Sequence, residues 1–259
     1  MNNENGRKAK ETSDFRYVGS ELDLFAAAQR WKAYWSERIR PYLYGDTLEA
    51  GAGIGSNTRF LRPGVSGRWV CLEPDPGLLA QLDETLRSMD VEKRCESFCG
   101  TLKDLEKDEF FDTILYIDVL EHIEDDAGEL VLAESRLRPG GRLIVLSPAH
   151  QFLFTAFDAE IGHFRRYSRA TLRGRSPANL SIEAMFYLDS CGVALSAANR
   201  VLLKQSMPTK EQIGVWDKWI IPVSRIVDPI LRYSLGKSIV GVWRKPNLEE
   251  PVEKSAAKA

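Results

Sequence analysis

Apolar residues in this chain follow two patterns. Between about Ser20 and Tyr42 they recur every three or four positions, which predicts one face of a helix. The residues that share this face are Leu22, Phe25, Ala28, Trp31, Trp35 and Ile39. Pro41 favours a helix end close to that point. We therefore expect an N-terminal helix that packs on the core or closes over a pocket.

From residue 47 onward, short continuous apolar runs alternate with segments of helical spacing. The predicted strands are 47–51, 69–74, 92–98, 111–118, 142–148 and 237–246. The predicted helices are 77–89 and 126–138, the second ended by Pro139-Gly140-Gly141, and another begins near Ser56 or Asn57. Strands that are apolar throughout are typical of a parallel sheet with helices on both faces. Such sheets bind ligands at the carboxyl ends of their strands.

The alternation weakens after Ala149. Segment 150–236 is richer in aromatic and basic residues, and we expect Pro222 and Pro229 to interrupt any long helix over 216–231. The pattern leaves the element boundaries between about Arg173 and Ile182 undefined. The predicted organisation is a disordered leader at 1–14, one domain at 15–246 with a core at 45–150 and an added region at 150–236, and a flexible tail at 247–259.

Composition narrows the classes of protein that fit. The chain has 259 residues and a formal net charge of −2, without the basic excess of a general nucleic-acid binder. Its cysteines lack the spacing and the nearby histidines of a zinc site, so we expect no metal and reduced thiols in the cytoplasm. No apolar run is long enough to span a membrane, and residues 1–14 lack the apolar core of a signal peptide.

A glycine-rich turn follows the first predicted strand. Gly51, Gly53 and Gly55 stand between a strand and a helix, where glycine permits a positive φ and a close approach of ligand to backbone. The order is G-x-G-x-G, and Ser56 occupies the place of the third glycine of a dinucleotide fingerprint, which argues against NAD. Glu73 ends the second strand and could accept hydrogen bonds from ribose hydroxyls. The other interpretation of Glu73 is a surface acid beside a turn.

Two further motifs complete a recognisable order. Asp118-Val119-Leu120-Glu121-His122 ends the fourth strand, and Leu137-Arg138-Pro139-Gly140-Gly141-Arg142-Leu143 leads into the fifth. Together with Glu49 to Gly55 and Glu73, these motifs over residues 45–150 resemble the class I S-adenosylmethionine-dependent methyltransferases. The resemblance implies a doubly wound, mostly parallel seven-stranded α/β sheet, the Rossmann-like methyltransferase fold. It also implies an N-terminal helix and a C-terminal insertion on the methyl-acceptor side.

The same resemblance implies S-adenosyl-L-methionine as cofactor and S-adenosyl-L-homocysteine as product. Glu49 and the turn from Gly51 to Gly55 would hold the amino-acid end of the cofactor. The remaining cofactor residues would be Glu73 and Pro74 at the ribose, Gly100, Thr101 and Leu102 beside adenine, and Asp118 and Val119 on the sulfonium side. His122 has a structural role in the family motif, with a catalytic role as the alternative.

The segment "FDAEIGHFRRYSR" (157–169) lies just beyond the fifth strand. It resembles a bacterial subgroup of these enzymes with the pattern D-x-x-x-G-H-x-R-R-Y, here Asp158, Gly162, His163, Arg165, Arg166 and Tyr167. Because histidine titrates near neutral pH, His163 is the candidate general base and Asp158 its orienting partner. Arg165 and Arg166 could clamp a phosphate or carboxylate, or could instead pair with acids of the core. The predicted substrate-binding residues are His150, Arg165, Arg166 and Tyr167.

We therefore expect a biosynthetic enzyme that methylates an oxygen of a small-molecule, sugar or lipid-linked acceptor. Methyl transfer to nitrogen or carbon is one alternative, because those atoms can react without such a base. An NAD(P)-dependent oxidoreductase and a non-catalytic binding subunit are the others, disfavoured by Ser56 and by the intact glycine turn respectively. Segment 216–231 packs on the core, closes over the acceptor, or lies against a membrane surface if the acceptor carries a lipid.

Overall fold

The computed structural model describes residues 15–17, 19, 21–89, 95–202 and 209–247, so the predicted leader and all of the predicted tail except Asn247 lie outside the described residues. Seven strands form one sheet in the order β3-β2-β1-β4-β5-β7-β6. Their bounds are β1 Thr47–Ala50, β2 Trp69–Glu73, β3 Cys95–Cys99, β4 Phe111–Ile117, β5 Leu137–Pro148, β6 Ser181–Leu188 and β7 Ser238–Arg244. The first five strands run parallel, and β7 lies antiparallel between β5 and β6. The predicted doubly wound, mostly parallel sheet is confirmed.

Helices pack against both faces of this sheet. They are α1 Glu21–Ala26, α2 Gln29–Ile39, α3 Thr58–Leu61, α4 Pro76–Ser88, α5 Asp126–Ser135, α6 Ala156–Glu160, α7 Arg169–Arg173, α8 Ser190–Leu202, α9 Lys210–Val215 and α10 Ile221–Ile230. A π-helical turn, Trp216–Ile220, joins α9 to α10. Asp125 caps α5 by accepting a hydrogen bond from the Gly128 N–H, as its position predicts. Asn57 stands at the start of α3 without capping it, because its side chain accepts from Lys32 instead.

The sheet divides the core into two apolar clusters. One cluster contains Trp31 and Trp35 of α2, which pack with Trp69 and other sheet residues on one face. The other contains Leu130 of α5, with Ile114 and further residues on the opposite face. Successive strand residues point to opposite faces, so a strand buried on both sides must be apolar throughout. This explains the continuous apolar runs in the sequence.

The predicted helix from Ser20 to Tyr42 is two helices. The carboxylate of Asp217 accepts hydrogen bonds from the backbone N–H groups of Arg30, at 3.1 Å, and Trp31, at 2.8 Å. These two N–H groups lie in the first turn of α2 and have no partner within that helix. A side chain from far along the chain therefore starts α2 anew after Ala28, and the local spacing of apolar residues carries no sign of it.

The expectation that proline breaks segment 216–231 was wrong. Pro222 lies in the first turn of α10, where its missing N–H is not needed, and Pro229 lies next to the last residue of that helix. The segment is helical from Trp216 to Ile230 with both prolines in it, although Pro229 lies inside α10 and removes one backbone donor there. Within the described ranges, no helix combines the length and the apolar character that crossing a bilayer requires.

Two strand boundaries also differ from the expectation. β5 begins at Leu137 rather than at 142, because the Pro139-Gly140-Gly141 stretch continues the strand through an irregularity in its pairing with β4. β6 falls where the sequence pattern defined no strand. Its first half is more exposed than its second, so it lacks the continuous apolar run that marks the central strands.

Candidate active site

The glycine-rich turn lies at the carboxyl edge of the sheet, between β1 and α3. Gly51, Gly53 and Gly55 have φ values of +65°, +57° and +76°, a region that side chains of L residues rarely allow. A Cβ atom on Gly51 would lie 2.7 Å from a methyl carbon of Val119, whereas one on Gly53 would meet Leu22 at an ordinary 3.8 Å. Gly51 is therefore required for the close approach of the turn to the end of β4.

Glu73 holds this turn from below. One of its carboxylate oxygens accepts a hydrogen bond from the Gly53 N–H at 2.8 Å, and the other accepts from the Asp75 N–H at 2.9 Å. Glu73 is buried, and this burial raises its pKa. Each carboxylate oxygen can accept a second hydrogen bond. A contact between Glu73 and a ribose hydroxyl stays a prediction.

The residues predicted to lie beside adenine are found at the neighbouring strand ends. Gly100 follows β3, and its N–H donates to the Glu73 carbonyl at 3.1 Å. Thr101 is exposed and caps the short helical turn that begins at Leu102, which is itself buried. Pro74 and these three residues line no part of the cavity described below. Their contacts with the adenosine part of a cofactor stay predictions.

Glu49 lies deeper than the sequence analysis placed it. It is almost fully buried, and one carboxylate oxygen accepts hydrogen bonds from the Thr58 hydroxyl at 2.8 Å and the Trp69 indole N–H at 3.0 Å. Burial raises the pKa of Glu49 to about 7, against the lowering effect of these hydrogen bonds and of Lys32. Glu49 does not line the cavity. Its carboxylate joins Thr58 of α3 to Trp69 of β2, and a contact between Glu49 and the cofactor stays a prediction.

A cavity of about 280 Å³ opens between the glycine turn and the 157–166 segment. Gly51 and Asp118 line one side of it, while Asp158 and His163 line the opposite side. Helices α1 and α2 contribute a cover that includes Leu22, Phe25, Trp31 and Lys32. The structure thus brings together the predicted cofactor turn and part of the predicted methyl-acceptor segment.

Asp118 and Val119 directly follow β4, beside the glycine turn. Asp118 has a φ of +55°, a left-handed conformation in which aspartate is enriched. It is exposed toward the cavity, whereas Val119 packs against Gly51 and is not a lining residue. Non-glycine residues in this conformation cluster at functional sites. Asp118 is therefore well placed to face a positively charged ligand group.

On the opposite side, Asp158 organises a hydrogen-bonded network. Its carboxylate lies 3.0 Å from Nδ1 of His163 and accepts a paired contact from Nε and Nη2 of Arg166 at 2.8 and 2.9 Å. The Thr155 backbone N–H and hydroxyl also donate to it. Burial opposes ionisation of Asp158, but the contacts with His163 and Arg166 hold its pKa far below the usual range. The carboxylate is thus charged and fixed.

His163 is held by this network with its other ring nitrogen directed elsewhere. Nε2 of His163 lies 3.9 Å from Oε1 of Glu121. Burial alone would lower the pKa of His163, but the hydrogen bond to Asp158 and the charge of Glu121 raise it above its ordinary value of 6.5. Protonation of His163 is therefore favoured by its surroundings. Asp158 and His163, five residues apart in sequence, do make the contact that sequence analysis left open.

Glu121 and His122 complete this side of the cavity. Oε2 of Glu121 accepts from the Ser147 hydroxyl at 2.9 Å, whereas Oε1 is buried and has no hydrogen-bond partner among the described residues. Burial, with the nearby Asp118, raises the pKa of Glu121. Burial and His163 lower the pKa of His122 to about 4. His122 is neutral at physiological pH, and its ring packs edge-on against that of His163 with centroids 4.4 Å apart.

These three side chains are also the set that could hold a metal ion. The ligand atoms of Glu121, His122 and His163 lie within 4.8 Å of one another. Two imidazoles and one carboxylate suit borderline divalent ions such as zinc. Asp158 is bonded to the second ring nitrogen of His163, as outer partners of metal-bound histidines commonly are. Any activity assay therefore needs a control with a chelator.

Three residues predicted to bind substrate lie outside the cavity. Arg165 pairs with Asp126 at 2.7 Å and donates to the backbone carbonyls of Ile123 and Glu124. Tyr167 is buried and donates to Asp126 at 2.8 Å. His150 stacks on another ring away from the cavity, with centroids 4.8 Å apart. For Arg165 the structural alternative therefore fits better, because an acid of the core already occupies its guanidinium.

Two lysines that the sequence analysis did not single out line the cavity. Lys32 of α2 donates to the Ser56 hydroxyl at 3.2 Å and to Asn57, and its burial lowers its pKa to about 8. Lys237, just before β7, lies over the Trp216 ring with Nζ 5.0 Å from the centroid. The predicted strand 237–246 begins with Lys237. A residue at the start of a strand lies at an edge of the sheet, and this position is the signal in the sequence that could have indicated Lys237.

Comparisons with known proteins were made for both sequence and structure. Residues 48–145 match a family model described as a methyltransferase domain. No curated protein sequence matches the chain significantly.

Three solved structures illustrate the structural similarity. The N-methyltransferase NodS from Bradyrhizobium japonicum, in complex with S-adenosyl-L-homocysteine, is 14% identical with a TM-score of 0.56, over 91% of this chain and 95% of that one. Phosphoethanolamine N-methyltransferase 2 from Haemonchus contortus is 14% identical with a TM-score of 0.58, over 90% of this chain and 62% of that one. The [4+2]-cyclase SpnF is 15% identical with a TM-score of 0.57, over 83% of this chain and 82% of that one. At such identities the likeness shows the fold.

Proposed function

Because this chain is an S-adenosyl-L-methionine-dependent methyltransferase, we propose that it methylates an oxygen of a small-molecule, sugar or lipid-linked acceptor in a biosynthetic pathway. The observation that carries this proposal is the contact between His163 and Asp158 in the cavity that the glycine turn also lines. A hydroxyl must lose its proton when it is methylated. A histidine held by a carboxylate can take that proton near neutral pH.

The residues around the glycine turn fit the cofactor. The turn has no side chain at Gly53, where a Cβ would meet nothing nearer than Leu22 at 3.8 Å, so a ligand can approach its backbone closely. Lys32 and Asp118 line the cavity on this side and carry charges opposite to those of the carboxylate and amino groups of an amino acid. We propose these residues for the amino-acid end, with Glu73 at the ribose. When bound, the cofactor supplies a methyl carbon made electrophilic by a sulfonium.

The acceptor side would remove the proton and align the hydroxyl. Nδ1 of His163 faces Asp158, so Nε2 is the atom available for the proton. When bound, S-adenosyl-L-methionine would supply the methyl carbon to the acceptor oxygen, and His163 would take the proton that the hydroxyl loses. Asp158 fixes the orientation of the ring and stabilises the imidazolium. Alignment of the reacting atoms contributes several kcal/mol to such steps, on the order of what a positioned base contributes.

Two alternatives bear on the same cavity. An amine acceptor is the second candidate, because two structural neighbours are named N-methyltransferases, and a neutral amine needs no general base before it attacks. For an oxidoreductase, Tyr233 and Lys237 have the spacing of a Tyr-x-x-x-Lys pair, but Tyr233 lies outside the cavity that Lys237 lines. The two residues therefore do not act on one ligand there.

Calorimetric titration tests the proposed cofactor directly. We expect saturable binding of S-adenosyl-L-methionine and S-adenosyl-L-homocysteine, and no binding of NAD(H), because the turn lacks the third glycine of a dinucleotide site. The purified full chain should be titrated with each compound under one set of conditions. Tight binding of NAD(H) without binding of either adenosyl compound would overturn the proposed function.

Gly51 and Gly53 provide a matched pair of variants for the cofactor turn. Both have positive φ, so alanine strains either position by about 1–2 kcal/mol. Gly51→Ala additionally drives a Cβ into Val119, and such overpacking costs about 1–3 kcal/mol. We therefore expect Gly51→Ala to weaken binding of S-adenosyl-L-homocysteine about tenfold or more beyond Gly53→Ala. Equal affinities of two folded variants, measured by calorimetry, would contradict this account of the turn.

A membrane contact of segment 216–231 stays a prediction. Its inner face packs on the core, and its outer face exposes a row of apolar residues at helical spacing, Val215, Trp219, Val223, Ile226 and Ile230. Exposed rows of this kind occur on helices that lie in a membrane surface. Cytoplasmic location and the absence of nucleic acid among the substrates likewise stay predictions.

A further inference from the structure

Lys237 is a charged side chain of the cavity that the proposed mechanism does not use. Both backbone polar groups of Lys237 are hydrogen-bonded. Its N–H donates to the Asp189 carbonyl at 3.0 Å, and its carbonyl accepts from the Ala149 N–H at 2.8 Å. These bonds place Lys237 beside the carboxyl end of β5. It therefore lies on the methyl-acceptor side of the cavity, away from the glycine turn.

Asp189, the acid whose charge attracts Lys237, already accepts hydrogen bonds from other groups. Oδ1 of Asp189 accepts from the Gly192 N–H at 2.9 Å and the Ser224 hydroxyl at 2.7 Å, and Oδ2 accepts from the Trp216 indole N–H at 2.9 Å. Asp189 attracts the ammonium of Lys237 but accepts no hydrogen bond from it. In the part of the chain that the structure describes, Nζ of Lys237 forms no hydrogen bond and no ion pair. Its three donors are directed to the cavity, beside the face of Trp216.

Arg166 brings a second set of donors to the same wall. Its Nε and Nη2 are taken by Asp158, while Nη1 has no hydrogen-bond partner among the described residues. Burial lowers the pKa of Lys237, and the positive charge of Arg166 lowers it further, against the raising effect of Asp189, Asp158 and Asp118. Two cations with unused donors on one cavity wall are costly unless an anion or water accepts from them.

We propose that Lys237 and Arg166 form an anion subsite that binds a phosphate or carboxylate group of the methyl acceptor. Both groups present two or more oxygens that can accept from an ammonium and a guanidinium at once. The subsite lies next to His163, so an anionic group held there would position a nearby hydroxyl for loss of its proton. This assignment rests on the proposed function and names the chemical class of its acceptor.

The test measures binding of simple anions to the protein saturated with S-adenosyl-L-homocysteine. Inorganic phosphate and acetate are the two probes, and they distinguish a phosphate-bearing from a carboxylate-bearing acceptor. We expect saturable binding of at least one of them by calorimetry. In Lys237→Met this binding should weaken about 10- to 100-fold, the value of a lost hydrogen bond to a charged group. Lys237→Arg should restore most of it.

Lys218→Met is the matched control, because Lys218 is an exposed lysine on the helical turn that carries Trp216 and lies outside the cavity. Its anion affinity should equal that of the unaltered protein. Unfolding midpoints of all variants show whether each is folded. Two results would overturn the subsite: no saturable binding of either anion, or equal anion affinity in Lys237→Met and the unaltered protein. The donors of Lys237 and Arg166 would then bond to water. Loss of S-adenosyl-L-homocysteine binding by the unaltered protein would instead contradict the proposed function.

Discussion

Replacement of His163 by alanine is expected to lower the rate of methyl transfer about 10²- to 10⁴-fold, the usual contribution of a positioned general base. Nε2 of His163 is the proton-accepting atom available in the cavity, because Nδ1 is bonded to Asp158. The affinity for S-adenosyl-L-homocysteine should stay within about threefold, since His163 lies opposite the glycine turn. Single-turnover rates with the identified acceptor and calorimetry separate the two effects.

The pH dependence of the rate gives a sharper version of this test. A base acts in its neutral form, and the surroundings of His163 raise its pKa above 6.5. The rate should therefore be low in acid and rise with pH through a midpoint above 6.5. Asp158→Asn removes the carboxylate that raises this pKa, so the midpoint should move to lower pH while the maximal rate falls.

Two outcomes would contradict the role of His163. A turnover of His163→Ala that is unchanged between pH 6 and 9 would remove it as general base and would favour an amine acceptor. A rate that a chelator abolishes and zinc restores would assign His163, with Glu121 and His122, to metal binding instead. Each result would leave the identity of the cofactor untouched.

Asp228→Ala is expected to lower the free energy of unfolding by about 3 kcal/mol or more, because each buried donor left without a partner costs about 1–3 kcal/mol. Asp228 is fully buried and accepts hydrogen bonds from the Tyr34 hydroxyl at 2.7 Å and from the backbone N–H groups of Asp189 and Ser190 at 2.8 and 2.9 Å. Alanine would leave these three donors buried without a partner. Chemical denaturation followed by circular dichroism measures the change.

Glu124→Ala is a suitable comparison for Asp228→Ala. Glu124 is an exposed acid whose side chain stands outside the buried network, so its loss should change stability by no more than about 0.5 kcal/mol. Similar stabilities of the two variants would show that the buried carboxylate contributes little. A change in the denaturant dependence of Asp228→Ala would indicate an altered unfolded or native state rather than a simple loss of contacts.

The central part of the fold could be predicted from sequence because its signals are local. Mainly apolar runs mark β2 and β4, since each is buried on both faces, and the glycine-rich turn marks the end of β1. The break between α1 and α2 could not be predicted, because its cause is the distant carboxylate of Asp217. Contacts between distant segments leave no periodic signal at either end.

The candidate site shows the same division. The glycine turn and the contact of His163 with Asp158 involve residues close in sequence, and motif spacing brought attention to them. Arg165 and Arg166 looked equivalent as neighbours, yet Asp126 takes Arg165 while Arg166 reaches the cavity. Lys237 arrives there only because β7 inserts antiparallel beside β5, a pairing that no local pattern of residues specifies.

The hydrogen bonds between Asp217 and the start of α2 affect how ligands enter and leave the cavity. Trp31 and Lys32 of α2 line the cavity, and Trp216, next to Asp217, lines it beside Trp31 with ring centroids 5.7 Å apart. Glu37 of α2 also pairs with Arg225 of α10. A displacement of α2 that opened the cavity would either break these bonds or carry the C-terminal helices with it. Release of the product S-adenosyl-L-homocysteine and entry of the next acceptor would then depend on the same movement of α2.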